Sequence, residues 1–184
     1  MKQLDVYIDF RSPAAYLAVQ PTLQLQAEVN CRVSWRPFLT RQRAALVEQP
    51  GESKSETHFR VRDKYRRRTW RLYAEVQDIE MNFPAQPGEC DLAMRALLGL
   101  EGEQIDFVTA AFDAYWVDGK DLNDPEVVAQ LLTATESQVV EQERLDVALL
   151  AAQEVGVVDV PCYIIDEQRF IGREHLPWIK HLLG

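Results

Sequence analysis

The apolar period of this chain changes twice, and strand-like alternation is confined to its two ends. Leu4, Val6, Ile8 and Phe10 alternate with Asp5, Tyr7 and Asp9, the two-residue period of a strand with one buried face. Val33 and Trp35 alternate with Ser34 and Arg36 and stop at Pro37, which predicts a second strand. Between them Tyr16, Leu17, Leu23, Leu25 and Ala27 mark a helix ending near Asn30, and Pro21 is expected to kink or end its first part. At the far end VPCYIID (160–166) reads as a strand, DEQ as a turn and RFI (169–171) as a short return strand. Gly172 breaks the pattern, and Glu174 to Leu183 reads as a last helix with Leu176, Ile179, Leu182 and Leu183 on one side. The middle has a helical period instead. Residues 56–79 carry Phe59, Tyr65, Trp70, Tyr73 and Val76 among many charges, and NFPAQPG (82–88) interrupts them. Helices are then predicted over 89–99, 103–117, 124–133 and 137–155. The third is opened by Asp124, Pro125 and Glu126: a cap, a fixed φ and an acid at the positive end of the dipole.

A chain of 184 residues is one domain, or one domain with an insertion. A net charge of −9 argues against nucleic acid and anionic membranes as partners, because both repel a negative surface. No apolar run approaches the ~20 residues that span a bilayer, and MKQLDVYIDF lacks the features of a signal peptide. Cys31, Cys90 and Cys162 are odd in number, far apart and without a CxxC, which argues against a disulfide framework and makes the cytoplasm the default location. His58, His175 and His181 have no ligand-like spacing with cysteine or acid, so no metal site is expected. The basic run RVRDKYRRRTWR (60–71) reads first as a solvated helix face.

Strand–helix–strand, a helical block, then proline–strand–turn–strand–helix is the order of an α/β, thioredoxin-like fold with an all-helical insertion. Residues 1–39 and 156–184 would form the thioredoxin-like part and 40–155 the insertion. Within it, Ser12 followed by Pro13 reads plainly as a helix N-cap. Cys31 and Cys90 read as bystanders, and Cys162, on a strand after a proline, as an inert core thiol.

Three stretches carry a resemblance: DFRSPAAYLA (9–18), FPAQP (83–87) and GVVDVPCYIIDEQRFIGREHL (156–176). In this order, over essentially the whole length, they resemble the 2-hydroxychromene-2-carboxylate isomerase and kappa-class glutathione transferase family of the DsbA-like thioredoxin superfamily. The chain departs from that pattern at several positions. Ala14 and Ala15 stand where an aromatic residue and a second serine are usual, Asp159 where glycine is common and Cys162 where threonine is common. Glu174 and His175 replace Asp-Arg, and LVEQPGES offers no clear match to a loop asparagine.

The resemblance implies glutathione as cofactor and a small, aromatic electrophile as substrate. Ser12, where redox relatives place an attacking cysteine, would donate a hydrogen bond to the glutathione thiolate. Val160–Pro161 would be cis and face the Ser12 helix, and Val160 would offer its backbone to the cysteinyl part of the ligand. Gly172, Arg173 and Glu174 would receive the γ-glutamyl end, the carboxylate on backbone amides and the ammonium on Glu174, although Glu174 also reads as an ordinary first-turn acid. Arg62, chosen over Lys64 and Arg66, would reach the glycyl carboxylate, and Arg11 would lend positive potential to the mouth. Phe112 and Trp116, with Tyr115, would be core or the lining of an acceptor pocket. The reaction implied is thiolate addition, bond rotation and elimination for an isomerase, or addition alone for a transferase. The resemblance also leaves room for a homodimer. The alternative is a DsbA-like relative without CxxC that acts as a non-catalytic binding protein. A disulfide oxidoreductase is opposed by SPAA, which holds no resolving cysteine.

Overall fold

The computed structural model describes residues 2–42, 44–100, 102–132 and 138–184. Its strands come from the two chain ends alone: β1 (Gln3–Ile8), β2 (Arg32–Pro37), β3 (Cys162–Ile165) and β4 (Gln168–Ile171), in the order β2-β1-β3-β4. Leu4, Val6 and Ile8 are fully buried, as the alternation predicts. β2 lies parallel to β1, with Val6 opposite Trp35, and is reached through α1 (Pro13–Tyr16) and α2 (Val19–Val29). β3 runs antiparallel to β1 and β4 antiparallel to β3. The β3–β4 turn holds Asp166 and Glu167, both at positive φ (46° and 66°), the conformation that a two-residue hairpin requires.

The break in the first helix falls before Pro21, not at it. α1 is a single turn, the chain loosens at Leu17–Ala18, and Pro21 sits in the first turn of α2. Proline has no N–H to give to the carbonyl four residues back, so a first turn is where it does least harm. Asn30 ends α2 in the left-handed region, at φ 49°.

Between Pro37 and Cys162 the described residues form helices and no strand: α3 (Lys54–Val76), α4 (Asp91–Gly99), α5 (Ile105–Trp116), α6 (Pro125–Leu132) and α7 (Gln142–Glu154). The expected helix ends at 133 and 137 lie outside the described residues. α7 nevertheless begins later than expected. Gln138–Val140 is pulled from helical form by α4, where Arg95 Nε donates to the Val140 carbonyl at 2.6 Å and the Gln138 carbonyl presses on Gly99. No Cβ would fit at Gly99. The last segment opens as a 3₁₀ turn (Arg173–His175) that runs into α8 (Leu176–Leu183). There Leu176, Ile179 and Leu183 face inward, while Leu182 is half-buried.

One apolar cluster joins the sheet to the helices, from Leu4, Val6 and Ile8 through Met94 and Leu97 of α4 and Phe107 and Phe112 of α5 to Ile179 of α8. α3 stands apart. It opens with a reciprocal capping box, Ser53 Oγ accepting from the Glu56 N–H and Glu56 Oε2 from the Ser53 N–H, yet buries only Ala74. Its inner side roofs a cleft over the sheet's strand-to-helix junction.

Candidate functional site

The cleft has two connected chambers. The inner one, about 390 Å³, lies between the start of α1 (Ser12, Pro13, Ala14) and two segments, Asp159–Pro161 before β3 and the stretch 171–174 from the end of β4 into the 3₁₀ turn. The outer one, about 360 Å³, is walled by Phe59, Trp70, Phe83, Tyr115 and Trp116 and carries Arg41, Arg62 and Arg66. Pro13, Arg41, Gln42, Arg66 and Trp70 border both. Volumes of this size suit a small molecule.

Ser12 caps α1: its Oγ accepts from the Ala15 N–H at 3.3 Å. A hydroxyl has two lone pairs and one proton. Capping uses a lone pair, and the proton has no acceptor among the described residues. Cap and donor to a ligand are therefore compatible. Since α1 is only four residues long, a helix dipole contributes little, and the hydroxyl itself is the polar group on offer.

Val160–Pro161 is cis, and Pro161 shares the inner chamber with Ser12. Val160 is buried, and its N–H is already bonded, to Asp159 Oδ1 at 2.9 Å. An open backbone donor, expected at Val160, is thus not present. Gly172, at φ 99°, donates its N–H to the Pro161 carbonyl at 2.9 Å, and the Glu174 carboxylate folds over its bare Cα. Glu174 is exposed on the chamber wall. The Arg173 side chain is anchored instead: Nη1 donates to the Leu17 carbonyl at 2.8 Å, and the guanidinium lies 4.5 Å from the centre of the Tyr73 ring. It ties the last helix to α1 and to α3.

Three expected roles need correction, those of Phe112, Arg62 and Arg11, while Trp116 fulfils both of its expected alternatives. Phe112 is fully buried, 5.0 Å from the Phe10 ring and stacked on Tyr16 at 5.3 Å, so it is core and lines no chamber. Trp116 is core on one side, with Nε1 donating to the Phe10 carbonyl at 2.9 Å, and reaches the outer chamber with its remaining edge. Arg62 borders only the outer chamber; of the basic side chains on α3, the one that also borders the inner chamber is Arg66. Arg11 reaches the outer chamber, but its charge is neutralised by Asp9, with Nε–Oδ1 and Nη2–Oδ2 both 3.0 Å, and by Glu89 at 3.3 Å. Burial opposes the Arg11 charge, and the hydrogen bonds and charge of Asp9 more than offset this, so its pKa is raised. Arg41, Arg62, Arg66 and Arg173 are the arginines of the cleft without an ion pair among the described residues, and of these Arg173 is held by the Leu17 carbonyl and the Tyr73 ring.

The sequence reading passed over Asp9, whose carboxylate is fully buried. Besides Arg11, its Oδ2 accepts from the Thr40 N–H and hydroxyl, both at 2.8 Å, and Cys90 Sγ lies 3.6 Å from Oδ1. Asp9 thereby fixes Thr40–Gln42, the loop that borders both chambers. An acid at the end of an apolar alternation, two residues before an arginine, was the available signal. Thr40 and Gln42 themselves had none, because their place depends on a loop.

Cys31, Cys90 and Cys162 are all buried, and none borders the cleft. Burial pushes the Cys162 thiol from its ordinary value of 9.0 up to about 11. Between these pH values the unfolded thiol is ionised and the folded one is not. The native state then holds the extra proton, so stability is intact below pH 9 and falls as pH rises toward 11. Tyr16 and Tyr163, both raised by burial, add to the fall further up. Urea unfolding at pH 8 and pH 10 should show the loss, and Cys162→Ala should lessen it. An equal loss in both proteins would mean that Cys162 is not responsible.

The chain is similar to known proteins in sequence and fold. The chain is 25% identical to 2-hydroxychromene-2-carboxylate isomerase of Sphingobium xenophagum, over 99% of its own length and 98% of that protein's. A solved 2-hydroxychromene-2-carboxylate isomerase superposes with a TM-score of 0.72 at 20% identity, covering 99% of this chain and 94% of that one. The cytosolic disulfide reductase DsbM of Pseudomonas aeruginosa, solved with GSH, superposes at 0.54 with 13% identity, covering 98% of this chain and 96% of that one. Among the described residues no helix is long and apolar enough to cross a membrane. The profile of the DSBA-like thioredoxin domain matches residues 3–184, nearly the whole chain and both halves of its sheet, and the protein belongs to that family.

Proposed function

We propose that this protein is a glutathione-dependent isomerase or transferase acting on a small, aromatic electrophile. One observation carries the reading: a serine hydroxyl with an uncommitted proton shares a chamber with the cis-proline segment, and no cysteine of the chain borders it. The site can therefore stabilise a thiolate but must receive it from a ligand. The inner chamber suits the rest of glutathione: Arg41 and Arg66 can meet its carboxylates, and Glu174 its ammonium. The similarity to an isomerase over the full chain supports the same assignment.

Bound glutathione would supply a thiolate that adds to an activated double bond and leaves again after rotation about it. The Ser12 hydroxyl donates a hydrogen bond to that sulfur, which favours the thiolate and lowers the thiol pKa. The aromatic walls of the outer chamber hold the acceptor's ring, and Arg62 and Arg66 face any negative charge that develops on it. Ala14 borders the inner chamber and is half-buried, leaving room there that the usual aromatic residue would fill.

A second reading has an observation of its own. With the Val160 N–H already bonded to Asp159, the site lacks one anchor for a peptide-like ligand, as a non-catalytic binding relative would. Calorimetric titration with reduced glutathione, combined with ultraviolet absorbance of the bound thiolate, separates the two. Heat together with thiolate absorbance at neutral pH is the expected result. Absence of heat supports the non-catalytic relative.

A further inference from the structure

The backbone N–H of Val160 is the group a peptide-like ligand needs when it lies along the cis-proline segment as an added strand. It has one proton, and Asp159 Oδ1 takes it at 2.9 Å. The contact joins adjacent residues, so no distant packing is needed to form it. Val160 itself is buried, Asp159 is exposed, and both border the inner chamber with Ser12. The Asp159 side chain thus occupies from within the position that a ligand carbonyl would take from outside.

We infer that Asp159 is an intramolecular competitor for the glutathione peptide and sets its affinity at this site. This rests on the glutathione reading above. Binding requires Oδ1 to give up the Val160 N–H before the ligand's cysteinyl carbonyl can accept from it, and the displaced carboxylate must then stay in a chamber entered by the ligand's own carboxylates. Two effects are combined in that residue, loss of a donor and repulsion, and two variants separate them. Asp159→Ala removes the acceptor and the charge. Asp159→Asn removes the charge but keeps a side-chain carbonyl able to accept from the same N–H.

The test is calorimetric titration of reduced glutathione into wild type, Asp159→Ala and Asp159→Asn, with the Val160 amide followed by ¹⁵N NMR. Asp159→Ala should bind about tenfold more tightly than wild type, the scale of one hydrogen bond no longer exchanged. Asp159→Asn should stay within about threefold of wild type, and the Val160 amide should move on binding in all three. Equal tightening in Asp159→Ala and Asp159→Asn would assign the effect to charge and overturn the inference. Binding by wild type that Asp159→Ala leaves unchanged would overturn the inference while the glutathione reading stands. No binding by any of the three would overturn both.

Discussion

Ser12→Ala should raise the pKa of a thiol bound in the inner chamber by about one to two units while leaving most of the binding free energy in place, because one hydrogen bond to a charged acceptor is worth roughly 1.5–3 kcal/mol. In the proposed reading the hydroxyl acts on the sulfur's developing charge, whereas the peptide arms would lie toward Arg41, Arg66 and Glu174, which line the same chamber. The same substitution also removes the cap on the Ala15 N–H, a contact of 3.3 Å. Loss of that cap should cost about 1 kcal/mol of stability. The two effects appear in different measurements: unfolding reports the cap, and absorbance of the bound thiolate against pH reports the proton. Ser12→Thr, which keeps both the acceptor and the donor, should restore both if its methyl group is accommodated. A bound thiol with an unshifted pKa in wild type and Ser12→Ala alike would reduce Ser12 to a cap.

The sheet was legible in the sequence because its strands alternate cleanly and because each turn carries its own local cause. Leu4, Val6 and Ile8 could face only one way, and Asp166 with Glu167 takes the two positive φ values of a hairpin. The site was legible where it is local. Ser12–Pro13 states a cap and Val160–Pro161 a strand entry, whereas their facing each other followed from the family resemblance and not from either stretch alone. What the sequence did not disclose depends on how elements meet. Phe112 and Trp116 are four residues apart on α5 and equally apolar, yet one is sealed by Phe10 and Tyr16 while the other keeps an edge on the outer chamber. Arg62 followed from the family resemblance, and whether it or Arg66 borders the inner chamber depends on the rotation of α3 about its axis. That helix buries only Ala74, so its periodicity names no inward face. Arg11 misled for a related reason: its nearest charge is Asp9, two residues back, and nothing in the spacing showed that both would be buried together.

That buried pair should dominate the stability of the site. Asp9→Ala leaves the Arg11 guanidinium, only 8% exposed, without the carboxylate that holds it at two 3.0 Å contacts. Removing one partner of a buried ion pair costs about 3–5 kcal/mol, because the other charge stays in a poor solvent. A domain whose whole stability is about 5–15 kcal/mol would be brought near its threshold. The Thr40 N–H and hydroxyl lose their acceptor in the same variant, so the loop that borders both chambers should loosen with the fold. The double variant Asp9→Leu, Arg11→Met distinguishes the pair's own worth from the damage of breaking it. With no charge left to bury, its loss should be smaller than that of Asp9→Ala alone. Glu89 does not change this expectation, for it is mostly exposed and reaches Arg11 at only 3.3 Å. Urea unfolding of wild type, Asp9→Ala and the double variant at one pH measures all three. A loss under about 1 kcal/mol in Asp9→Ala, within the range of an exposed pair, would show that Arg11 finds water when Asp9 is gone and that the pair does not hold the site together.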